Sequence, residues 1–316
     1  MITNIYDFGI IGGDMRQVYM AQILAEQGYR VCVYGLCKEI SPDMQSDATD
    51  GEPVLCEKSL TDAVQKSGII IAPIPMTKNK KDLSNQVGKD DLSLNELMEA
   101  LKEGHYFFAG CIPEGFRDKA ADKGVVCCDF MKNEELAIYN SIATAEGAIA
   151  EAIQKSPLNL HRSECLVLGY GKCGKTLAAY LKGMFCRVTV CARRPDVRSE
   201  ASILADEVIS FDDIPDNLKQ YSFIFNTIPN MIMDRSLLMS VKKQAIIIDI
   251  ASAPGGVDFT AAKELGIPAW LCPGLPGKYA PESSARACLK IAFCQMCVPV
   301  CGMDVPNLGS VVGYTD

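Results

Sequence analysis

Residues 164–194 constrain the fold of this chain more than any other stretch. The apolar run Glu164-Cys-Leu-Val-Leu168 enters the turn Gly169-Tyr-Gly171-Lys172-Cys173-Gly174, and an Ala/Leu-rich helical pattern leaves it. A second apolar run, Cys186-Arg-Val-Thr-Val-Cys191, ends in Ala192-Arg193-Arg194. Strand, glycine turn, helix and strand in that order make a unit built to hold a dinucleotide. Gly169 allows the tight turn, Gly171 lets a pyrophosphate approach the backbone, and Gly174 lets helix and strand pack closely. Lys172 and Cys173 open the helix, whose first N–H groups and positive dipole end face the phosphates. The competing reading is a glycine turn that binds nothing.

The end of the second run separates two cofactors. A site for NAD places an acidic residue there to take the ribose 2′-hydroxyl. This chain places Arg193 and Arg194 there instead, and guanidinium groups suit a 2′-phosphate through charge-assisted contacts. NADP is the expected cofactor; a solvated basic turn is the alternative.

The length of 316 residues allows two domains, and 48% hydrophobic with 22% charged residues is the profile of a soluble globular chain. A net charge of −8 argues against general nucleic-acid binding. No apolar run reaches spanning length, and the N-terminus lacks the basic start of a signal peptide, so the cytoplasm is the expected location. Fifteen cysteines scattered through apolar runs read as small core residues rather than a disulfide framework.

Strand-like runs alternate with helical patterns along the whole chain. In the first half the strands are expected at Phe8–Gly12, Arg30–Tyr34, Gly68–Ala72, His105–Ala109 and Val125–Asp129; in the second they fall near Leu166, Val188, Phe223, Ile247 and Pro268. This alternation predicts an α/β protein of two Rossmann-like, doubly wound parallel-sheet domains with a cleft between them. The expected boundaries are 1–140 for an N-terminal substrate or partner domain and 141–160 for a connecting helix. The NADP-binding domain then takes 161–301, with the last helix packing across the junction, and 302–316 form a tail. The helix before the second domain is expected to span 133–155 and to stop at Ser156-Pro157.

Other candidate residues follow from strand ends and turns. Phe223-Ile-Phe-Asn-Thr227-Ile228-Pro229 and Ile246-Ile-Ile-Asp-Ile-Ala-Ser252-Ala-Pro-Gly-Gly256 are strands running into turns that would sit over the dinucleotide. Thr227, Ile228, Pro229 and Ser252 are assigned to cofactor binding on that ground, with ordinary turn chemistry as the alternative. In Cys272-Pro-Gly-Leu-Pro-Gly-Lys278, the lysine is expected near a substrate anion. The first domain's own turn, Gly12-Gly13-Asp14-Met-Arg16-Gln17, lacks full dinucleotide spacing. Gly13 and Arg16 could hold a small carboxylate there, while Asp14 reads either as a catalytic carboxylate or as a helix N-cap. On the connecting helix, Thr144 is a substrate-binding candidate and Glu146 a proton acceptor, within the polar patch Asn140-Ser-Ile-Ala-Thr144-Ala-Glu146-Gly147.

Gly12 to Gln17, Thr144-Ala-Glu-Gly147, the 169–194 unit, Asp249 to Gly256 and Pro273-Gly-Leu-Pro-Gly277 together resemble the A-subunit family of dipicolinate synthase, in order and spacing along nearly the whole chain. Ala143 stands where the family carries a proline. The resemblance implies NADP-dependent oxidation of dihydrodipicolinate, or of its hydrated 4-hydroxy-tetrahydro form, to dipicolinate. It also implies the mother-cell cytoplasm of a sporulating bacterium, and for a partner a separate, flavoprotein-like B subunit. Two alternatives stay open: another two-domain NADP dehydrogenase of a small carboxylate, or a non-catalytic NADP-binding partner of a flavoprotein.

Only two histidines occur, His105 and His161, so the histidine-and-arginine pair of a 2-hydroxyacid dehydrogenase has no counterpart in the second half. Cys294-Gln-Met-Cys297-Val-Pro-Val-Cys301 lacks a second pair at ligand spacing and reads as helix core, not as a metal site.

Overall fold

The computed structural model of the protein describes residues 4–40, 53–86 and 92–297. Its contacts divide the chain into two units, Met1–Ala137 together with Pro281–Asp316, and Ile138–Ala280. The first holds β1 (Tyr6–Ile11), β2 (Val31–Tyr34), β3 (Val54–Cys56), β4 (Ser67–Ile71), β5 (Tyr106–Ala109) and β6 (Val126–Asp129), in the sheet order β3-β2-β1-β4-β5-β6. The second holds β7 (Glu164–Leu168), β8 (Arg187–Cys191), β9 (Glu207–Ile209), β10 (Phe223–Asn226), β11 (Ile246–Asp249) and β12 (Ala269–Leu271), in the order β12-β11-β10-β7-β8-β9. Neighbouring strands are parallel throughout. Each order reverses beside the first strand of its unit, which is the doubly wound arrangement expected.

Helices α1 (Met15–Glu26), α2 (Leu60–Gln65), α3 (Leu94–Ala100) and α4 (Glu114–Asp122) connect the first sheet's strands. α5 (Glu134–Lys155) leads from one unit into the other, and its start is capped by Asn133, whose Oδ1 accepts from the Leu136 N–H. The second unit adds α6 (Lys172–Gly183), α7 (Pro195–Ala201), α8 (Ile214–Asn217), α9 (Arg235–Met239), α10 (Phe259–Leu265) and α11 (Leu275–Tyr279); α12 (Pro281–Cys297) ends the described chain. The tail expected at 302–316 lies outside the described residues.

The strands are near-continuous apolar runs because both sheet faces are covered. Phe8, Ile10, Val31, Val33, Ile71 and Phe108 enter one core of the first unit, while Ile11, Cys32, Ile70 and Phe107 enter the other. The period of two sends successive side chains to opposite faces, and each face needs its own helices. Cys165, Val167, Val188 and Val190 against Leu166, Leu168 and Cys191 repeat the division in the second unit.

Three features differ from the sequence reading. β3 and β9 were not expected; both are three-residue edge strands whose residues are partly exposed, so neither carries a buried apolar run. The last helix, expected to start from the nucleotide domain and pack across the junction, does pack on α1, and by its contacts it is grouped with the first unit rather than with residues 161–280. Its stripe Ala285, Cys288, Leu289, Ala292 and Phe293 joins the core of Phe8, Val18 and Leu24, with Phe8 and Phe293 edge to face at 6.0 Å. Finally, Cys32, Cys165, Cys186, Cys191, Cys272 and Cys288 are buried thiols as expected, but Cys37 and Cys56 form a disulfide with Cα atoms 5.7 Å apart. The β2–β3 register places Cys56 beside Val33, near where the chain continues to Cys37. Among the described residues, no helix is long and apolar enough to cross a membrane.

His105 supplies a pH test of the first unit. It is buried at the amino end of β5; its Nδ1 accepts from the Lys102 N–H, and its Nε2 has no partner. Burial, and secondarily the Lys102 charge, push its pKa from 6.5 down to about 4. The folded state thus resists a proton that the unfolded state takes up. Stability from this group is complete above the unfolded value, declines as pH falls from 6.5 toward 4, and is roughly 3 kcal/mol lower at the end of that range. Urea melts followed by circular dichroism should show a shallower acid decline in His105→Leu than in the parent chain; identical declines would remove His105 as the cause.

Candidate functional site

The turn between β7 and α6 lies at the carboxyl edge of the second sheet, beside β10, where the strand order reverses. Gly169 has φ +96°, and a Cβ there would stand 2.5 Å from Thr227 Oγ1. A Cβ on Gly174 would collide with the backbone carbonyl of Gly169. Both positions are glycine because helix and turn press together. Gly171 is different: it is exposed, and nothing lies within 4 Å of its Cβ position. It is also the N-cap of α6 and offers no side-chain acceptor, so the helix's first N–H groups face open space. A cradle of bare backbone donors with room above it fits a pyrophosphate. Lys172 is exposed in the first turn and Cys173 half-buried behind it.

The loops after β10 and β11 are held by two fully buried polar residues. Asp249 Oδ1 accepts from Asn226 Nδ2 at 2.9 Å and from the Ala251 N–H at 3.0 Å, while its Oδ2 accepts from the Gly256 N–H at 2.7 Å. Asn226 Nδ2 also donates to the Ile228 carbonyl, and its Oδ1 accepts from the Ile228 N–H. Thr227 Oγ1 donates to the Leu168 carbonyl at 2.9 Å, tying this loop to the glycine turn. Pro229 and Ser252 are exposed on the two loops so fixed, and Ile228 is half-buried. The Asn226–Asp249 pair was missed as a site element. Its signal was present in both strands ending in a polar residue after an apolar run.

Arg193 and Arg194 are exposed just after β8. Arg194 pairs with Asp196 at 3.1 Å, both well exposed. Arg198, also unforeseen, donates from one nitrogen to the carbonyls of Ala192 at 3.0 Å and Arg193 at 2.7 Å. It locks the turn that presents the two arginines from below, leaving their guanidinium groups at the surface.

One face of α5 lies against this site within the second unit. Ser141 Oγ meets Thr176 Oγ1 at 2.7 Å, Thr144 Oγ1 donates to the Asn140 carbonyl at 2.8 Å, and Gly147 fits against Leu275 and Tyr279 of α11. Thr144, three residues after Ser141, shares that face. Glu146 does not: it is exposed, and two residues of helix turn it to the opposite side from Thr144. The expected proton acceptor is thus not at the turn. Lys278, expected near a substrate anion, donates instead to buried Glu151 at 2.5 Å. Tyr279 and Lys155 reach the same carboxylate at 2.8 and 2.7 Å. Burial alone would raise Glu151, but the hydrogen bonds from Lys155, Lys278 and Tyr279 outweigh it and bring its pKa to about 2. The lysine's role is to fasten α11 to α5.

The first unit's glycine turn is closed from inside. Gly12 and Gly13 have φ +60° and +115°, and the Gln17 side chain fills the space beside Gly13. Asp14 is the α1 N-cap in a reciprocal capping box with Gln17. Both Asp14 oxygens also accept from Arg16, at 2.9 and 2.8 Å, and Arg16 donates further to the Ile74 carbonyl. Arg16 is buried, with its pKa raised: burial opposes the charge, but the bonds and proximity of Asp14 prevail. The Gln86 N–H donates to the Gly13 carbonyl, so chain also lies across the turn. Arg16, expected as a carboxylate anchor, and Asp14, expected as a catalytic group or an N-cap, are thus paired with each other, and Asp14 is the N-cap.

His105 and His161 precede β5 and β7, at the amino edges of their sheets and away from the glycine turns. Cys294 is exposed, Cys301 and the Cys297 side chain fall outside the described residues, and no cluster suited to a metal exists among those described.

Comparison with known proteins agrees with this geometry. Residues 7–131 match the family model of the dipicolinate synthase A-subunit N-terminal domain, and residues 136–258 match that of the D-isomer specific 2-hydroxyacid dehydrogenase NAD binding domain. The A subunit of dipicolinate synthase from Bacillus subtilis (strain 168) is 29% identical over 289 residues, covering 90% of this chain and 94% of its own. The crystal structure of the A subunit of dipicolinate synthase from Bacillus halodurans superposes with a TM-score of 0.78 at 25% identity, over 92% of this chain and 97% of that one. The dipicolinate synthase A chain from Bacillus subtilis gives 0.75 at 28% identity, over 95% and 97%. The resemblance to the dipicolinate synthase A subunit holds along nearly the whole chain, and the second unit is a dehydrogenase-type nicotinamide-nucleotide domain.

Proposed function

We propose that this chain is the NADP-binding dehydrogenase subunit of a dipicolinate synthase, acting with a flavoprotein-like B subunit in the mother-cell cytoplasm of a sporulating bacterium. The observation that carries this reading is the open cradle at Gly171, flanked by Arg193 and Arg194, in a chain that resembles the dipicolinate synthase A subunit throughout. The arginine pair supports NADP over NAD, because no acidic residue stands at the end of β8 to accept ribose hydroxyls.

The chemistry asks little acid–base help of the protein. Dihydrodipicolinate loses a hydride and a proton and becomes an aromatic pyridine-2,6-dicarboxylate; the 4-hydroxy-tetrahydro form first loses water. NADP, when bound, supplies the hydride acceptor. The chain's own residues supply position: the α6 N–H groups hold phosphate, and Thr227 and the Asn226–Asp249 pair fix the loops at the carboxyl edge of β10 and β11. Arg16 is paired with Asp14 and Lys278 with Glu151, so a diacid held by either cation would have to share it with a carboxylate of this chain.

The test mixes the chain, the B subunit, NADP and freshly generated dihydrodipicolinate, and follows NADPH and pyridine dicarboxylate absorbance together. Equimolar appearance of both is expected. Pyridine formation without NADPH, or no turnover by the complete mixture, would refute the reading.

A further inference from the structure

A buried acceptor beside the glycine turn has nothing to accept from. Asn140 is only 9% exposed, and its Oδ1 has no hydrogen-bond partner. An unpaired buried carbonyl is costly, and one is tolerated where something outside the chain satisfies it.

Its place in the second unit says what that is. Asn140 lies one helical turn before Thr144 on the same face of α5, and the Thr144 hydroxyl donates back to the Asn140 carbonyl at 2.8 Å. Ser141, next to Asn140, meets Thr176 near the start of α6 at 2.7 Å. Asn140 is therefore carried on the turn of α5 that packs beside the start of α6, the helix whose first N–H groups form the cradle. The side of the sheet is also fixed. Arg193 and Arg194, after β8, mark the adenosine half of a bound nucleotide. Two turns after Asn140 on the same face, Gly147 meets α11, the helix that follows β12 on the side of the sheet away from β8. A dinucleotide crosses the sheet at the reversal between β7 and β10, so its nicotinamide end extends to the α5 side.

We infer that Asn140 positions the nicotinamide ring, its Oδ1 accepting a hydrogen bond from the ring's carboxamide N–H. This deepens the proposed function and rests on it. The carboxamide is the flat N–H donor of that half, and an acceptor held by a packed helix would fix which face of the ring is presented.

The test measures affinity by calorimetry for three ligands: NADPH, 2′-phospho-ADP-ribose, which lacks the ring, and the 3-acetylpyridine analogue of NADPH, which lacks the carboxamide N–H. Asn140→Leu should weaken NADPH about tenfold, leave 2′-phospho-ADP-ribose unchanged and bind the analogue as the parent does. Asn140→Asp, which keeps an acceptor, should bind NADPH within a few-fold of the parent. Unchanged NADPH affinity in Asn140→Leu would overturn the inference. So would equal loss for all three ligands, which is a packing defect or a ribose contact, or equal loss for NADPH and the analogue alone, which is a ring contact made without the carboxamide N–H. A parent chain that binds none of the three would instead remove the proposed function.

Discussion

Replacing Asp249 with alanine is expected to lower the melting temperature of the second unit by on the order of 10 °C and to weaken NADPH binding severely. The carboxylate is fully buried and satisfies three donors: Asn226 Nδ2 and the N–H groups of Ala251 and Gly256. Alanine leaves all three unpaired in a dry site, a cost of roughly 3 kcal/mol or more. Asparagine keeps one oxygen for Asn226 and Ala251 but turns an N–H toward that of Gly256, so Asp249→Asn should fall between. Gly255, with φ +87° and its Cβ position 2.6 Å from Asp249 Oδ2, shows how closely the loop is wrapped on this group. Calorimetric scans of the three proteins give the order directly, and an alanine variant melting with the parent would show that the network bears no load.

The second large effect concerns cofactor choice. The double substitution Arg193→Ser with Arg194→Asp should weaken NADPH binding about 100-fold, as expected for two charge-assisted phosphate contacts. NADH affinity should stay within about threefold, or improve as the aspartate meets the ribose hydroxyls. Stability should not move, since the Arg194–Asp196 pair is exposed and such pairs contribute little. Equal loss of both nucleotides would undo the 2′-phosphate argument.

The two sheets were legible because their strands are buried on both faces and their connections are glycine turns with capped helices. β3 and β9 were not, because an edge strand such as Glu207–Ile209 has only one neighbour and little apolar burial to announce it. The placement of α12 depends on which apolar stripe meets Phe8, and a stripe names no partner. At the site, the glycine turn could be read directly, since Gly169 and Gly174 are required by contacts local in sequence or between adjacent strands. The partners of charged candidates could not be read. Arg16 and Lys278 look available in sequence, yet the fold supplies Asp14 to one and Glu151, 127 residues away, to the other. Glu146 fails for a simpler reason: two residues along a helix from Thr144 is its far side.

The central claim is that nucleotide lies on the turn of the second unit and not on that of the first. Hydrogen–deuterium exchange with saturating NADPH addresses it most directly. Slowed exchange is expected of the amides at 169–176 and 192–194, with 12–17 unchanged. Protection confined to 12–17, or none at either turn, would contradict it.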